Sequence, residues 1–320
     1  MDNKILITGS AGFIGYHLSK SLLDDGFDVI GIDNLNDYYD VNLKKTRLKQ
    51  LNNYENFKFK KIDISNRAEL EKFFFKFDIN KVVNLAAQPG VRYSIENPYA
   101  YMNSNLIGFL NIIECCRQKS VDGFIYASSS SVYGGNKKVP FSIEDRTDNP
   151  ISFYAATKNA NEQIAKTYSH LYNLNTTGLR FFTVYGPWGR PDMAYFSFTN
   201  KIIKNEPINV FNNGKMKRDF TYIDDIIDGL RSAIEINYKC EIFNLGNNKA
   251  VELNSFIKII EKELNKKAII NYLPMQPGDV KETYANIDKS FKMLNYKPKT
   301  NIKDGIKNFI SWFKKTNKLV

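Results

Sequence analysis

The stretch Lys4-Ile-Leu-Ile-Thr-Gly-Ser-Ala-Gly-Phe-Ile-Gly15 decides the fold of this chain. A short apolar strand leads into three glycines and then into a helical pattern. Gly9 permits a tight turn, Gly12 lets the backbone approach a pyrophosphate, and Gly15 allows the helix to pack closely on the strand. The start of the helix also offers free N–H groups and a positive dipole end to phosphates. Together these features predict a dinucleotide-binding turn at the start of a parallel sheet.

The first half of the chain repeats strand and helix patterns. We predict strands over Lys4–Thr8, Asp28–Asp33, Phe57–Ile64, Lys81–Ala87 and Gly123–Ser129, and helices over Gly12–Asp25, Arg67–Phe75, Pro98–Lys119 and Tyr154–Leu171. Several of the strands are nearly continuous apolar runs, which is typical of parallel strands covered on both faces. Repeated β-α-β units predict an α/β fold with a Rossmann-type, doubly wound parallel sheet.

The second half is less regular. Prolines and glycines cluster at 186–191, 212–214 and 274–278, which indicates a smaller C-terminal α/β domain built partly from loops, where specificity usually resides. We predict a dinucleotide-binding domain over residues 1–178 and a substrate-binding domain over 179–320, with a strand at 241–246 that can return to the first sheet. The amphipathic pattern over Asn301–Lys318 predicts a helix packed on the core.

Composition and charge exclude several classes of protein. The 320 residues carry a net charge of +11, but the lysines are scattered, so we expect a solvated basic surface and no nucleic-acid partner. The three cysteines form no Cys-x-x-Cys pair, which argues against a disulfide framework or a zinc site and favours a reduced, cytoplasmic protein. We expect no metal, no signal peptide and no membrane span, because no apolar run approaches ~18 residues.

Two acidic residues follow predicted strands and are candidates for contacts to the dinucleotide. Asp33 stands 18 residues beyond Gly15 (33 − 15), where a carboxylate binds an adenosine ribose and repels a 2′-phosphate, so NAD is favoured over NADP. Asp63 can accept a hydrogen bond from the adenine amino group. The alternatives are a turn residue at Asp33 and a helix cap at Asp63. We assign to the same cofactor site their neighbours Phe13, Ile14, Asn34 and Ile64.

The sequence contains four Tyr-x-x-x-Lys patterns, which begin at Tyr16, Tyr54, Tyr133 and Tyr154. The surrounding sequence indicates which of them is the candidate catalytic pair. Only Tyr154 opens a predicted helix just after a proline, 25 residues beyond Ser129 (154 − 129). A spacing of four puts its phenol and the Lys158 ammonium on one helical face. A free tyrosine has a pKa near ~10, and a cation ~4 Å away lowers it by roughly 3 units, so Tyr154 becomes a usable base near neutral pH.

A run of serines follows the strand that ends near Ala127. Ser128–Ser131 lies at the carboxyl end of the predicted sheet, where doubly wound sheets bind their ligands. One of these hydroxyls can hydrogen-bond a reacting oxygen, and the alternative is a simple turn made by serine side chains. Hydroxyl, phenol, ammonium and a pyrophosphate turn are the parts of a hydride-transfer site.

These motifs resemble the extended short-chain dehydrogenase/reductase family over essentially the whole chain. Within that family the sequence is most similar to the nucleotide-sugar 4-epimerases, and among these to the UDP-glucuronate 4-epimerase group. The strings that carry the resemblance are Asp33–Asp40, Ala86–Tyr93, Ser128–Gly134, Leu179–Met193, Arg218–Asp225 and Gln276–Asp279.

The resemblance implies roles for individual residues. Ser129 would be the catalytic hydroxyl, Tyr154 the base and Lys158 its electrostatic partner. The NAD cofactor would also be lined by Leu85, Ala86, Ala87 and Asn103. Arg218 would meet the UDP diphosphate, and we assign the substrate in addition to Gln88, Arg92 and Asp279. A homodimer through the helices at Pro98–Lys119 and Tyr154–Leu171 is also implied.

The resemblance further implies the reaction. Related dehydratases and UDP-glucuronate decarboxylases carry acidic residues where this chain has Ser129–Ser131, so elimination lacks its acid–base pair and reversible C4 epimerisation of UDP-glucuronate and UDP-galacturonate remains. The 4-keto intermediate is a β-keto acid that loses carbon dioxide readily, so several groups must hold its carboxylate. Our candidates are Ser130, Ser131, Thr183 and Arg190. The alternatives are a UDP-glucose or UDP-N-acetylglucosamine 4-epimerase and a non-catalytic NAD-binding or RNA-associated protein.

Overall fold

The structure is a computed structural model that describes residues 4–275 and 280–317. Its strands are β1 (Lys4–Thr8), β2 (Asp28–Asp33), β3 (Phe57–Lys61), β4 (Lys81–Asn84), β5 (Gly123–Ser129), β6 (Thr176–Phe181), β7 (Thr183–Tyr185), β8 (Ile208–Phe211), β9 (Lys217–Tyr222), β10 (Cys240–Leu245), β11 (Ala250–Glu252), β12 (Ile270–Leu273) and β13 (Glu282–Thr283). Its α-helices are α1 (Phe13–Asp24), α2 (Val41–Leu51), α3 (Arg67–Phe74), α4 (Tyr93–Glu96), α5 (Pro98–Tyr101), α6 (Gly108–Lys119), α7 (Phe153–Tyr172), α8 (Ala194–Lys204), α9 (Ile223–Ile236), α10 (Leu253–Leu264), α11 (Asp288–Leu294) and α12 (Ile302–Thr316).

A seven-stranded sheet organises the molecule, with the strand order β3-β2-β1-β4-β5-β6-β10. Every pair in it is parallel. Alternate side chains of its strands enter two apolar clusters, one with α1, α2 and α9 and the other with α3, α6 and α7. The sequence contains nearly continuous apolar strands because both faces of the sheet are covered in this way. The predicted Rossmann-type fold is thereby confirmed.

The strand order reverses beside β1, and this reversal places the functional site. The chain runs outward from β1 through β2 to β3 and then crosses back to β4 on the other side of β1. The loops that follow these strands diverge there and leave a crevice at the carboxyl ends of the strands, where open α/β sheets bind ligands.

The second half of the chain forms smaller sheets beside this crevice. Strand β9 pairs with β7, β11 and β13, and β8 pairs with β12. The strand expected at 241–246 is β10, which pairs with β6 at the edge of the large sheet. The domain boundary at residue 178 stays a prediction, and β6 (Thr176–Phe181) runs through that position.

Some elements differ from the sequence prediction. The helix expected over Pro98–Lys119 is interrupted by a π-helical turn at Met102–Ile107. Helix α2 was not predicted, because two of its four buried residues are the charged Lys44 and Arg47, which weakens the apolar periodicity. The second half is also more helical than its prolines and glycines indicated, since α8 to α12 all lie there.

Candidate active site

The glycine turn between β1 and α1 has no room for side chains. Gly9 has a φ of +69°, and a Cβ on it would lie 2.8 Å from the backbone nitrogen of Ala86. A Cβ on Gly15 would lie 2.1 Å from the carbonyl oxygen of Gly9. Gly12 is the N-cap of α1, so no capping side chain covers the N–H groups of the first turn. The turn therefore fits a pyrophosphate held by backbone groups and by the helix dipole.

Asp33 ends β2 beside this turn. Its Oδ2 accepts a hydrogen bond from the backbone N–H of Ala11 (3.1 Å) and its Oδ1 from that of Leu35 (2.8 Å). Burial raises the pKa of its carboxyl, while these hydrogen bonds and the nearby Lys44 lower it. The hydrogen bond from Leu35 shows that Asp33 does stabilise a local turn. The hydrogen bond from Ala11 also holds the carboxylate against the glycine turn, a position that suits a ribose contact.

Asp63 follows β3 and does not cap the next helix. It accepts hydrogen bonds from the Asn34 side-chain amide (2.9 Å) and from the N–H and hydroxyl of Ser65. The N-cap of α3 is Asn66, whose side chain accepts from Glu69 N–H. Asp63 therefore remains available to the cavity, in the position we expect for a contact to adenine.

One cavity brings together most of the predicted site. It is lined by the predicted residues Gly9, Gly12, Phe13, Ile14, Gly15, Asp33, Asn34, Asp63, Ile64, Leu85, Ala86, Ala87, Ser129, Tyr154, Lys158 and Arg190. Asn103 is exposed, and its neighbour Ser104 lines the cavity instead. The π-helical turn changes which side chains face inward at this point, and the sequence contains no signal for such a turn.

Tyr154 lies in the first turn of α7, which Ser152 caps by accepting the N–H of Ala155 (3.1 Å). Burial raises the pKa of its phenol, whereas a hydrogen bond with the Ser129 hydroxyl and the charge of Arg190 lower it. The Lys158 ammonium donates to the carbonyl oxygen of Ala127 (2.8 Å). Lys158 and Arg190 both line the cavity that contains the phenol, so two cations of this chain lie in that cavity.

Lys158 is itself electrostatically perturbed. Burial lowers its pKa to about 8, against the influence of the Glu162 carboxylate. Glu162 lies one turn further along α7 and forms a buried ion pair with Arg180 (2.8 Å), and it also accepts a hydrogen bond from the hydroxyl of Ser128 (2.6 Å). The helix α7 therefore carries base, cation and carboxylate on one face, at intervals of four residues.

The serines of the run Ser128–Ser131 lie in two different environments, with Ser128 and Ser129 in the first cavity and Ser130 and Ser131 outside it. The Ser129 hydroxyl accepts the N–H of Ser131 (3.1 Å), so the turn considered as an alternative is present, and Ser129 lines the cavity as well. Ser130 and Ser131 are half-buried and line neither of the two cavities described here.

A second cavity adjoins the first, since Tyr38 and Met193 line both. It is lined by the predicted substrate residues Arg92, Thr183 and Arg218. The guanidinium of Arg92 lies over the Phe211 ring, 4.9 Å from its centroid. The structure does not bring all predicted substrate residues here: Gln88 is buried and bound to the side chain of Asn105, and Asp279 lies outside the described residues.

Sequence reasoning missed several residues of the site. Lys44 lines the first cavity, and its ammonium donates to Asn36, but no signal pointed to it because α2 was not predicted. Tyr38 donates to Asp192 (3.3 Å), and Asp192 binds Arg190, so the three side chains join the two cavities. Tyr38 and Asp192 lie within Asp33–Asp40 and Leu179–Met193, two of the strings that carry the family resemblance. That resemblance was the only sequence signal for these two residues.

Within residues 4–275 and 280–317 no group of three His, Cys, Asp or Glu side chains could hold a metal ion. In the same part of the chain, no helix combines the length and the apolar character that crossing a membrane requires.

The sheet, the glycine turn and the hydroxyl–phenol–ammonium arrangement define an extended short-chain dehydrogenase/reductase. The chain belongs to the NAD dependent epimerase/dehydratase family, which matches residues 5–246. It is therefore an NAD-dependent epimerase, an isomerase with NAD as its cofactor, and the glycine turn and Asp33 fit that cofactor.

Three relatives illustrate the similarity. Protein CapI of Staphylococcus aureus is 52% identical over 330 residues, covering 97% of this chain and 98% of that protein. UDP-glucuronate 4-epimerase 4 of Arabidopsis thaliana is 47% identical over 327 residues, covering 97% of this chain and 75% of that protein. The crystal structure of UDP-glucuronic acid 4-epimerase from Bacillus cereus with UDP-glucuronic acid and NAD is 36% identical, with a TM-score of 0.92 over 98% of this chain and 99% of that one.

Proposed function

We propose that this protein interconverts UDP-glucuronate and UDP-galacturonate by reversible epimerisation at C4 through a 4-keto intermediate. The observation that carries the proposal is one cavity that holds Ser129, Tyr154 and Lys158 beside the glycine turn and opens into a second cavity lined by Thr183 and Arg218. The names of the Arabidopsis and Bacillus relatives support the acidic sugar as substrate.

Some residues of the first cavity bind NAD, and others transfer the proton of the substrate hydroxyl. The glycine turn binds the pyrophosphate of NAD, Asp33 its adenosine ribose and Asp63 its adenine. NAD held by these residues would supply the reversible oxidation at C4. The phenol of Tyr154 takes the proton of the C4 hydroxyl and gives it back, and Ser129 hydrogen-bonds the same oxygen. Lys158 and Arg190 contribute the positive charge that favours the phenolate.

The residues around the second cavity bind the rest of the substrate. Arg218 pairs with the diphosphate, and Arg92 lines the same cavity. The carboxylate of the sugar is held by Thr183 from the second cavity and Arg190 from the first. Ser130 and Ser131, which we expected to join them, line neither cavity and are not assigned to the carboxylate. Charged hydrogen bonds contribute about 1.5–3 kcal/mol each. They also keep the carboxylate from aligning its C–C bond with the ketone, which prevents decarboxylation.

The proposed homodimer is supported by apolar side chains exposed on the predicted interface helices. Large apolar residues are exposed along the segment of α5, the π-helical turn and α6 and around α7, namely Tyr99, Met102, Ile107, Leu110, Phe153, Leu171 and Tyr172. Exposed apolar patches of this kind mark interfaces in soluble proteins. Sedimentation analysis should give twice the chain mass.

We place the protein in the reducing cytoplasm, which suits its free cysteines.

The substrate proposal is tested by incubating the purified protein with a panel of UDP-sugars, without added reductant, and separating the products. UDP-glucuronate and UDP-galacturonate should interconvert, and neutral UDP-hexoses should react poorly. If UDP-glucose or UDP-N-acetylglucosamine is epimerised faster than UDP-glucuronate, the substrate of this enzyme is a neutral UDP-sugar. No conversion at all, with RNA retained above ~0.3 M salt, would favour the non-catalytic alternative, since nonspecific phosphate binding weakens steeply with salt.

A variant at the carboxylate side sharpens this test. Thr183→Ala should raise KM for UDP-glucuronate and release a decarboxylated UDP-4-keto-pentose. Thr46→Ala is the matched control, because Thr46 is an exposed residue of α2 whose hydroxyl binds only the carbonyl of Asn42 among the hydrogen bonds described. Equal KM values in the two variants would remove Thr183 from the proposed carboxylate site.

A further inference from the structure

Arg47 of α2 is a buried cation without a role in the mechanism above. Its side chain is 0% exposed. One terminal nitrogen donates to the carbonyl of Ala11 (2.9 Å) and the hydroxyl of Tyr39 (2.8 Å), and the other donates to the carbonyls of Trp188 and Gly189. A planar guanidinium suits such a set, because its fork can bind several oxygens at fixed angles.

The partners of Arg47 come from both sides of the site. Ala11 belongs to the phosphate turn, and its N–H is bound by Asp33. Trp188 and Gly189 belong to the loop between β7 and α8, which borders the substrate cavity. A single side chain therefore links the cofactor side of the site to the substrate side.

The loop that Arg47 binds has a conformation that its own sequence does not favour. Trp188 has a φ of +60°, in the left-handed region that non-glycine residues rarely adopt. Its carbonyl and that of the following Gly189 both accept hydrogen bonds from Arg47. Such a backbone persists only where its surroundings hold it, and the two hydrogen bonds from Arg47 act on the carbonyls of these two residues.

The next residue in the loop is Arg190, a cation in the same cavity as the proposed base. Arg190 lines the cofactor cavity with Tyr154, and its guanidinium binds the carboxylate of Asp192. The other ionisable groups around Tyr154 are Tyr101, whose ring centroid lies 6.0 Å away, and Lys158, whose ammonium binds a backbone carbonyl. Arg190 and Tyr154 line the same cavity, and while burial raises the pKa of the phenol, the charge of Arg190 acts to lower it.

We propose that Arg47 is a positioning residue for the reaction. By binding the carbonyls of Trp188 and Gly189 it determines the direction in which Arg190 leaves the loop, and so holds that cation beside Tyr154. The inference rests on the proposed role of Tyr154 as the base.

The test is a double-mutant cycle read out by the pH dependence of kcat. The base must be ionised to act, so loss of a nearby cation moves the acid limb of the profile to higher pH. Arg47→Met should move this limb upward by roughly 1 pH unit, as expected when a neighbouring cation is displaced. Arg190→Met should move it at least as far. The double variant should match Arg190→Met alone, because Arg47 acts through Arg190.

Two further variants separate positioning from stability. Arg67→Met removes an exposed arginine that pairs with Glu71 and should leave the limb unchanged. Arg47→Lys keeps the positive charge but lacks the planar guanidinium group, so it should shift the acid limb less than Arg47→Met. If Arg47→Met does not fold, Arg47→Lys replaces it in the double-mutant cycle.

Several outcomes would overturn the inference. An Arg47 variant with a lower melting temperature but an unmoved acid limb would show a structural role only. A shift that adds to that of Arg190→Met would show that Arg47 does not act through Arg190. Wild-type turnover in Tyr154→Phe would instead overturn the assignment of the base, which is a separate failure.

Discussion

The first cavity takes many of its residues from the ends of adjacent strands of the large sheet, whereas the second cavity is walled by segments from across the chain. Gly9, Asp33, Leu85 and Ser129 each end or follow a strand of the large sheet. The second cavity takes Arg92 from beside α4, Thr183 from β7, Phe211 from β8 and Arg218 from β9. The first cavity therefore depends strongly on backbone geometry near the glycine turn, and the second depends on how distant side chains pack together. Substitutions in the two walls should have separable effects.

The largest effect is expected at Tyr154 in the first cavity. Tyr154→Phe should lower kcat on the order of 10²–10⁴-fold, because the base loses its proton-accepting oxygen. Binding of NAD and of UDP, measured by titration, should persist because the change removes a single oxygen and leaves the glycine turn, Asp33 and Arg218 in place. Tyr54→Phe is the control, since Tyr54 begins another Tyr-x-x-x-Lys pattern but contacts the exposed Asp24. Equal turnover in the two variants would assign the base elsewhere.

An intermediate effect is expected from the cofactor wall. Asp33→Ala should weaken NAD binding by about 1.5–3 kcal/mol, the contribution of hydrogen bonds to a charged group. Affinity for NADP should fall less or rise, because the repulsion of its 2′-phosphate disappears, and UDP binding should not change. Asp28→Ala, at the exposed opposite end of β2, is the matched control. If both variants discriminate NAD from NADP equally well, Asp33 does not contact the ribose.

The smallest effect is expected in the alkaline range. Burial lowers the pKa of Lys158 to about 8, and the protonated form is the one that favours the phenolate. Activity should therefore decline as the pH rises through about 8. Lys158→Arg should move this decline in kcat/KM to higher pH, because a guanidinium stays protonated.

The control for this pH experiment lies on the same helix. Lys166→Arg changes an exposed lysine of α7 and should keep the wild-type profile. An alkaline limb that is the same in Lys158→Arg and in the wild type would mean that another group titrates there.

Much of the cofactor side was predictable from the sequence. Strand β1, the glycine turn and Asp33 are consecutive or follow a fixed spacing, so local patterns and backbone sterics are sufficient to predict them. Asn103 shows the limit of such reasoning, because a π-helical turn shifts the inward-facing position to Ser104. Lys44 and Arg47 were not found because their helix buries charged residues, and burial of charge is not visible as apolar periodicity.

The sequence by itself determined the parallel sheet, the phosphate turn and the choice of Tyr154 among four similar patterns. These depend on short-range geometry, which is encoded in residues close together in the chain. Only the tertiary structure decided that Arg190 lines the same cavity as the phenol and that the two cavities adjoin. Arg190 is 36 residues from Tyr154 (190 − 154), and Arg47 is 141 from Trp188. Contacts over such separations depend on how the second half of the chain packs against the sheet.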